Sequence, residues 1–199
     1  MARVAIFASG EGTNAEAIIR HLRLEGSHTV DLVLTNRPDA GVIIRADALG
    51  VPVIVFDRND LSDPEIVLKS LKDARVDLVV LAGFLWLMPP LIVLAFDGAM
   101  LNIHPALLPK FGGKGMYGMH VHRAVKEAKE TETGISIHLV SAEYDRGSII
   151  FQARCPISSS DTSEDIGNHV RALELRHYPI VISQFLDEGR TGNSRPLHN

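Results

Sequence analysis

The sequence predicts an α/β fold: a mostly parallel, twisted sheet with helices on both faces and an antiparallel hairpin towards the C-terminus. Two observations predict it. Short apolar runs alternate with helical patterns through the first half of the chain, and these runs are apolar on both faces. Strands of this kind are typical of parallel sheets that helices cover on both sides. The hairpin is predicted by a later strand in which apolar and polar residues alternate.

The first half of the chain repeats a strand–helix unit, which indicates a Rossmann-like sheet. The predicted strands cover residues 4–8, 30–34, 53–56, 78–81 and about 99–103, and the predicted helices cover 14–24, 40–49 and 64–74. Ser62-x-x-Glu65 predicts a capping box at the start of the third helix.

The second half changes pattern after residue 109. Four glycines between residues 110 and 120 predict a mobile loop, and a helix is predicted over 120–130. The alternation in 135–139 predicts a half-buried strand, paired with 148–154 as a hairpin. A final helix is predicted from Asp161 or Thr162 to about residue 186, with an interruption near Pro179. The polar tail, 187–199, is predicted to be loose.

The composition is that of one compact domain over residues 1–199. Hydrophobic residues make up 46% of the chain, enough for a sizeable core, and the formal net charge is -4. No block of like charge points to a nucleic-acid partner. The single cysteine, Cys155, excludes an internal disulfide and is typical of the reducing cytoplasm.

A membrane span has to be weighed at residues 78–96, a stretch of 19 residues without a charge. Pro89 and Pro90 interrupt it near its middle and no basic cluster flanks it, so a buried strand, a turn and a short apolar helix are favoured. The apolar run at residues 4–8 is too short for a secretory signal. We therefore expect a cytoplasmic protein.

The glycine-rich turn SGEGTN follows the first predicted strand and opens the first predicted helix. Such a turn directs free backbone N–H groups at an anion, and the helix dipole assists. Gly10 and Gly12 permit the tight turn, while Thr13 and Asn14 add side-chain donors. The turn therefore predicts a site for the phosphate of a small substrate, with a turn that binds no ligand as the alternative.

A dinucleotide site is disfavoured at the same turn. Gly10-x-Gly12-x-x-Ala15 fits the loose dinucleotide fingerprint, but such a site needs an acidic residue at the end of the second strand to hold the ribose. Residues 35–37 are Thr, Asn and Arg instead. NAD is therefore not expected, and only Arg37 leaves NADP open.

Asn102 and His104 stand where the fifth predicted strand ends, and their spacing of two directs both side chains to one side of the chain. In open α/β sheets, ligands bind beyond the carboxyl ends of the strands. An amide and a protonated imidazole aimed at one place can hold an oxyanion, and a nearby carboxylate lets the imidazole move a proton. Residues 143–147, which include Asp145, can supply that carboxylate.

Zinc is the alternative interpretation of the histidines. His104, His120, His122 and His138 are candidate ligands, but two helical residues separated by two point to different faces, and no cysteine accompanies them. We therefore expect no metal.

Five segments together resemble the formyltransferase family, whose members handle the formyl group of 10-formyltetrahydrofolate. They are SGEGTN, LAGFLWLMP, LNIHPALLPKF, GISIHLV and Asp145-x-Gly147, and the resemblance covers about residues 3–186. Within the family, the glycine turn matches the phosphoribosylglycinamide formyltransferases. Methionyl-tRNA formyltransferase has an additional C-terminal domain and formyltetrahydrofolate hydrolase usually an N-terminal one, neither of which is expected here.

The resemblance implies transfer of a formyl group from 10-formyltetrahydrofolate, as co-substrate, to the amine of phosphoribosylglycinamide in de novo purine synthesis. It implies a catalytic set of Asn102, His104 and Asp145, with His138 near the site. The alternatives are a formyltetrahydrofolate hydrolase and a non-catalytic module that binds a phosphate or nucleotide. We expect a monomer or homodimer that binds small molecules.

The resemblance also implies the binding residues. The ribonucleotide is assigned to Gly12, Thr13, Asn14 and Glu174, and the folate to Leu85, Trp86, Leu87, Met88, Val140, Ser141, Ala142, Glu143 and Tyr144.

The chain departs from the family pattern in three places. The loop after Lys110 is several residues longer, and Arg171 and Leu175 stand where Gln or His is expected near Glu174. An arginine expected before the third helix, where it would meet the folate tail, is replaced by residues 62–65, Ser-Asp-Pro-Glu.

Overall fold

The computed structural model describes residues 1–189 and contains a seven-stranded sheet. Its strands are β1 (Arg3–Phe7), β2 (Thr29–Thr35), β3 (Val53–Val55), β4 (Leu78–Leu81), β5 (Met100–His104), β6 (Glu132–Leu139) and β7 (Ile149–Pro156). They lie in the order β3-β2-β1-β4-β5-β6-β7, with β1 to β5 parallel and β6 and β7 antiparallel to their neighbours. The predicted fold class is confirmed.

Helices cover both faces of the sheet. They are α1 (Thr13–Glu25), α2 (Gly41–Ala48), α3 (Arg58–Ser62), α4 (Lys69–Asp73), α5 (Pro90–Ala95), α6 (Met119–Glu127) and α7 (Ser163–Asp187). Side chains of a strand alternate between the faces, so Val4 and Ile6 of β1 pack with α1, α2 and α7, whereas Ala5 and Phe7 pack with α3, α4 and α5. The core therefore has two layers, one on each face.

The sheet topology brings three loops to one edge. The strand order reverses between β1 and β4, and ligands of open α/β sheets bind outside the carboxyl ends of the strands at such a point. The glycine turn follows β1, residues 83–88 follow β4, and His104 ends β5. On the neighbouring strand β6, His138 lies directly opposite Asn102.

The predicted capping box at Ser62 is wrong. The box belongs to α3, where Asp57 accepts hydrogen bonds from the Asn59 and Asp60 N–H groups, and the Asp60 carboxylate accepts from Asp57 N. The hydroxyl of Ser62 donates instead to the Arg58 carbonyl. The helix that begins at Pro64 is capped by Asp63 rather than Ser62, and a carboxylate accepts N–H bonds more strongly than a hydroxyl does.

The predicted helix over 64–74 is divided. A π-helical turn, Pro64–Leu68, precedes α4, and Asp63 accepts a hydrogen bond from Glu65 N at its start. Pro64 suits this first position because it has no N–H group to satisfy.

Three further expectations are corrected in the second half. β6 begins earlier and is buried on both faces rather than half-buried, because loops and α7 cover it. The helix predicted over 120–130 ends at Glu127. α7 continues through Pro179, since buried neighbours hold it to the sheet, among them Tyr178, whose hydroxyl donates to the Leu81 carbonyl. Of the predicted loose tail, residues 190–199 lie outside the described residues.

Residues 78–96 form β4, a turn and α5, as expected. Within residues 1–189, no helix combines the length and the apolar character needed to cross a membrane.

Candidate active site

A cavity of about 440 Å³ opens at the carboxyl ends of β4 and β5. Asn102, His104 and Asp145 line it, and so do Asn14 and Glu174 from the first and last helices. The three catalytic candidates and two of the four residues assigned to the ribonucleotide therefore meet around one space.

His104 and Asp145 lie side by side in this cavity. The Nε2–H of His104 donates to the Phe111 carbonyl at 2.8 Å, while its Nδ1 lies 3.5 Å from Asp145 Oδ2. Asp145 Oδ2 also accepts a hydrogen bond from Gly113 N at 2.8 Å. The long glycine loop is therefore attached to both members of the pair, because Phe111 and Gly113 belong to it.

Asn102 is oriented by a residue on the neighbouring strand. Its amide Nδ2 donates to His138 Nε2 at 3.1 Å, and His138 Nδ1–H donates to the Leu139 carbonyl at 2.8 Å. His138 Nε2 also lies 3.6 Å from Asp145 Oδ1, so it contacts both other polar groups. Sequence analysis placed His138 only near the site. The register between β5 and β6, which pairs Asn102 with His138, would have predicted this contact.

Burial and charge act oppositely on the imidazole of His104. Burial lowers its pKa below the ordinary value, while the Asp145 carboxylate and the Phe111 carbonyl act to raise it. Burial alone would raise the pKa of Asp145, but the nearby His138 ring, the charge that His104 carries when protonated and the Gly113 N–H outweigh it and lower that pKa. The free protein therefore pairs a carboxylate with a mainly neutral imidazole at neutral pH.

The glycine turn has the local geometry of an anion site. α1 begins at Thr13 without a side-chain cap, so its first N–H groups are left for a ligand. Thr13 lines a second cavity, of about 370 Å³, while Asn14 lines the first and donates to Glu174 at 2.9 Å. Gly12 lines neither cavity: its φ is 76°, and a Cβ there would lie 2.5 Å from Val42 Cβ.

Glu174 is partly shielded from water beneath the glycine turn. Burial raises the pKa of its carboxyl group, and the hydrogen bond from Asn14 and the charge of Arg171 oppose that change.

The positions that a dinucleotide site would use at the end of β2 serve local contacts. Asn36 accepts a hydrogen bond from the Ser9 hydroxyl at 2.7 Å, and that hydroxyl accepts from Leu85 N at 3.1 Å. Arg37 pairs with Asp39 at 2.9 Å on the surface. The bond between Leu85 N and the Ser9 hydroxyl joins the glycine turn to the loop after β4.

The assigned folate residues lie together with one exception. Leu85, Trp86, Leu87, Met88, Val140, Ser141, Glu143 and Tyr144 line the first cavity, and Ala142 does not. Trp86 packs against Phe84 and Phe56, with ring centroids 6.3 and 6.2 Å away.

An arginine that sequence analysis missed lies over Trp86. The guanidinium carbon of Arg58 is 4.3 Å from the centroid of the indole ring. No local pattern could have found it, because Arg58 belongs to α3 and lies 28 positions before Trp86 in the chain.

The histidines of the zinc alternative are dispersed. His104 and His138 line the first cavity, His122 lines the second, and His120 packs edge-on against Tyr117. In the described part of the chain, no group of three or more His, Cys, Asp or Glu residues is arranged to hold a metal ion.

Comparison with known families matches residues 2–182 to the family described as formyl transferase. The chain belongs to the formyl transferase family.

Named relatives in the family point to one kind of enzyme. The chloroplastic phosphoribosylglycinamide formyltransferase of Arabidopsis thaliana is 39% identical, over 94% of this chain and 66% of the plant protein. The chain thus spans about two thirds of that relative. The phosphoribosylglycinamide formyltransferase of Haemophilus influenzae is 36% identical, over 96% of this chain and 89% of its own length.

A solved structure shares the fold throughout. The crystal structure of phosphoribosylglycinamide formyltransferase from Bacillus halodurans superposes with a TM-score of 0.84, at 36% identity, over 97% of this chain and 100% of that one.

Some of the departures from the formyl transferase pattern border the two cavities, whereas residues 62–65 border neither. Gly113 to Gly118 of the long loop line the first cavity. Arg171 lines the second cavity, and Leu175 lines neither.

Proposed function

We propose that this chain transfers the formyl group of 10-formyltetrahydrofolate to the amine of phosphoribosylglycinamide, a step of de novo purine synthesis, in the cytoplasm. In this proposal residues 1–199 form one formyltransferase domain. The observation that carries it is the convergence of Asn102, His104 and Asp145 in a cavity that Asn14 and Glu174 also line. Family membership and the named relatives support it.

The amine attacks the formyl carbon and gives a tetrahedral intermediate whose oxygen is negatively charged. Asn102 Nδ2 has two hydrogens; one is donated to His138, which leaves the other for this oxygen. A single donor of this kind is worth roughly 100- to 1000-fold in rate.

His104 and Asp145 stabilise the charge of the intermediate and assist the transfer of the amine proton. Because Nε2–H is engaged by Phe111, Nδ1 is the position at which His104 takes up a proton. The imidazolium then lies 3.5 Å from the Asp145 carboxylate, which stabilises it beside the oxyanion. Asp145, through a water molecule, helps to move the proton from the attacking amine to the departing N10, and the reaction needs no metal and no covalent enzyme intermediate.

Binding at the two ends of the cavity positions the reactants. The ribonucleotide is held at Thr13, Asn14 and Glu174, and its binding energy fixes the amine. The pteridine lies among Leu85, Leu87, Met88 and the 140–144 segment. Arg58 on Trp86 takes the glutamyl carboxylate of the folate, in place of the arginine that residues 62–65 lack.

A spectrophotometric assay of tetrahydrofolate release tests the proposal. Release that requires both 10-formyltetrahydrofolate and phosphoribosylglycinamide is expected. Equal release without the amine acceptor would show the hydrolase instead, and binding of the ribonucleotide with no release under any condition would show a non-catalytic module.

A further inference from the structure

His122 on α6 is buried and lacks hydrogen-bond partners. Only 6% of the residue is exposed, and Nδ1 is shielded without a partner. Nε2 also makes no hydrogen bond within residues 1–189. A buried polar group without a partner is costly, and native proteins rarely keep one without a reason. The ring also borders the second cavity, which Thr13 borders from the glycine turn.

The helix α7 makes room for this imidazole with a glycine. A Cβ at Gly167 would lie 3.1 Å from His122 Cδ2 and 3.4 Å from Nε2, so any larger residue would press on the ring. Glycine in a helix interior is unfavourable relative to alanine, and α7 has its one glycine at the point where it meets His122. The pairing indicates that the ring has a defined position beside the cavity.

The remaining cavity wall suits a sugar phosphate. Arg171 and the uncapped N-terminus of α1 contribute positive charge and N–H groups, which suit a phosphate. Glu11, Glu164 and Glu174 contribute carboxylates, which suit sugar hydroxyls because carboxylate oxygens accept hydrogen bonds. A bare anion would meet these three acids unfavourably, whereas a phosphorylated sugar satisfies both kinds of group.

We infer that His122 is a binding residue for the phosphate group of a ribose phosphate, to which its Nε2–H donates in the second cavity, because Nδ1 is shielded, with Gly167 keeping its imidazole in place. The inference rests on the proposed function for the identity of the natural ligand, phosphoribosylglycinamide. It adds a residue from α6 to a site that the sequence assigned only to the glycine turn and Glu174. His122 acts on binding and takes no part in the chemical step.

Calorimetric titration of the purified full chain with ribose 5-phosphate tests the inference. His122→Phe keeps an aromatic ring but removes both nitrogens, and should weaken binding about 10- to 100-fold, the effect of losing one hydrogen bond to a charged group. His122→Gln retains an N–H donor and should recover a large part of the affinity. His120→Phe, two positions away on α6 and outside the second cavity, is the matched control and should bind as the wild type does.

Gly167→Ala provides an independent test that does not alter the histidine. Alanine favours the helix intrinsically, so a folded and thermally stable variant that binds ribose 5-phosphate several-fold more weakly would report displacement of the imidazole. Wild-type affinity in His122→Phe would overturn the inference, and so would equal losses in His122→Phe and His122→Gln, since packing alone would then explain them.

The proposed function can fail separately. If His122 and Gly167 govern ribose 5-phosphate binding but no formyl transfer occurs, the inference stands and the transferase assignment does not.

Discussion

His104 Nδ1 lies 3.5 Å from Asp145 Oδ2, too far for a good hydrogen bond but close enough for strong attraction once the imidazole is protonated. Because Nε2–H already donates to Phe111, a proton that arrives at Nδ1 meets a carboxylate whose pKa is held low by His138, His104 and Gly113 against the effect of its own burial. His104 can therefore accept a proton at Nδ1 during the reaction, and it is mainly unprotonated at that position in the free protein.

Asp145→Asn should lower kcat by about 100- to 10,000-fold, the usual range for a positioned acid–base group. The backbone should tolerate the change, because the φ of Asp145 is 55° and Asn adopts this conformation readily, and its amide oxygen can still accept from Gly113 N. Steady-state kinetics check kcat, and titration with ribose 5-phosphate should show wild-type affinity. Near-wild-type turnover would remove the proposed role.

His104→Ala should also lower kcat by orders of magnitude while leaving ribonucleotide binding nearly intact. The side chain is 3% exposed, so the loss of a packed ring must be separated from the loss of a proton acceptor. Single-turnover measurements on protein shown by circular dichroism to be folded make that separation. A chemical step as fast as that of the wild type would exclude His104 from the reaction.

Thr13→Val combined with Asn14→Ala should chiefly raise KM for phosphoribosylglycinamide, by about 10-fold or more, because both substitutions remove polar contacts at the glycine turn. Asn14→Ala also frees Glu174 from its 2.9 Å hydrogen bond, which adds to the loss. KM for the folate is the internal control. Unchanged KM for the ribonucleotide would contradict phosphate binding at the turn.

Arg58→Ala should raise KM for 10-formyltetrahydrofolate several-fold and leave kcat near the wild-type value. The effect should vanish with a formylated pteroate, which lacks the glutamyl carboxylates, because only the charge contact with the tail is lost. Arg58→Lys keeps the charge but not the planar stacking on Trp86, so partial recovery is expected. An equal rise with the tail-less compound would assign Arg58 to the support of Trp86 instead.

Acid should destabilise the protein through its buried histidines. Burial, and then the charge of His104, lower the pKa of His122 in the folded chain, so the unfolded chain binds more protons below the ordinary pKa of about 6.5. The free energy of unfolding therefore falls as the pH drops from about 6.5 towards the folded pKa.

His122→Phe should reduce that slope by at most about 1.4 kcal/mol per pH unit, the limit for one proton. Urea titrations between pH 5 and 7 measure it, with the exposed His169→Phe as control. Asp145 acts differently: its pKa is lowered, so its contribution is kept above about pH 3.8 and lost only in stronger acid. Identical slopes in the wild type and the His122 variant would show that His122 has the same pKa in the folded and unfolded chains.

Much of the fold could be predicted because the signals are local. The apolar runs of β1 to β5 and the helical patterns between them required only neighbouring residues, and the α/β architecture followed from their alternation. The cap of the helix that begins at Pro64 could not be predicted from Ser62-x-x-Glu65, because the neighbouring Asp63 accepts the hydrogen bond from Glu65 N and the capping box forms earlier, at Asp57 and Asp60.

The sequence by itself determined which chemical groups stand at the strand ends: the donors of the glycine turn, Asn102 and His104. Only the tertiary structure decided their partners. It brought His138 to Asn102 through the β5–β6 register, the Phe111 carbonyl to His104, and Arg58 to Trp86. The physical reason is that the residue pattern within a segment specifies its conformation and buried face, whereas contacts between distant segments depend on strand order, register and loop packing, which the whole chain settles together.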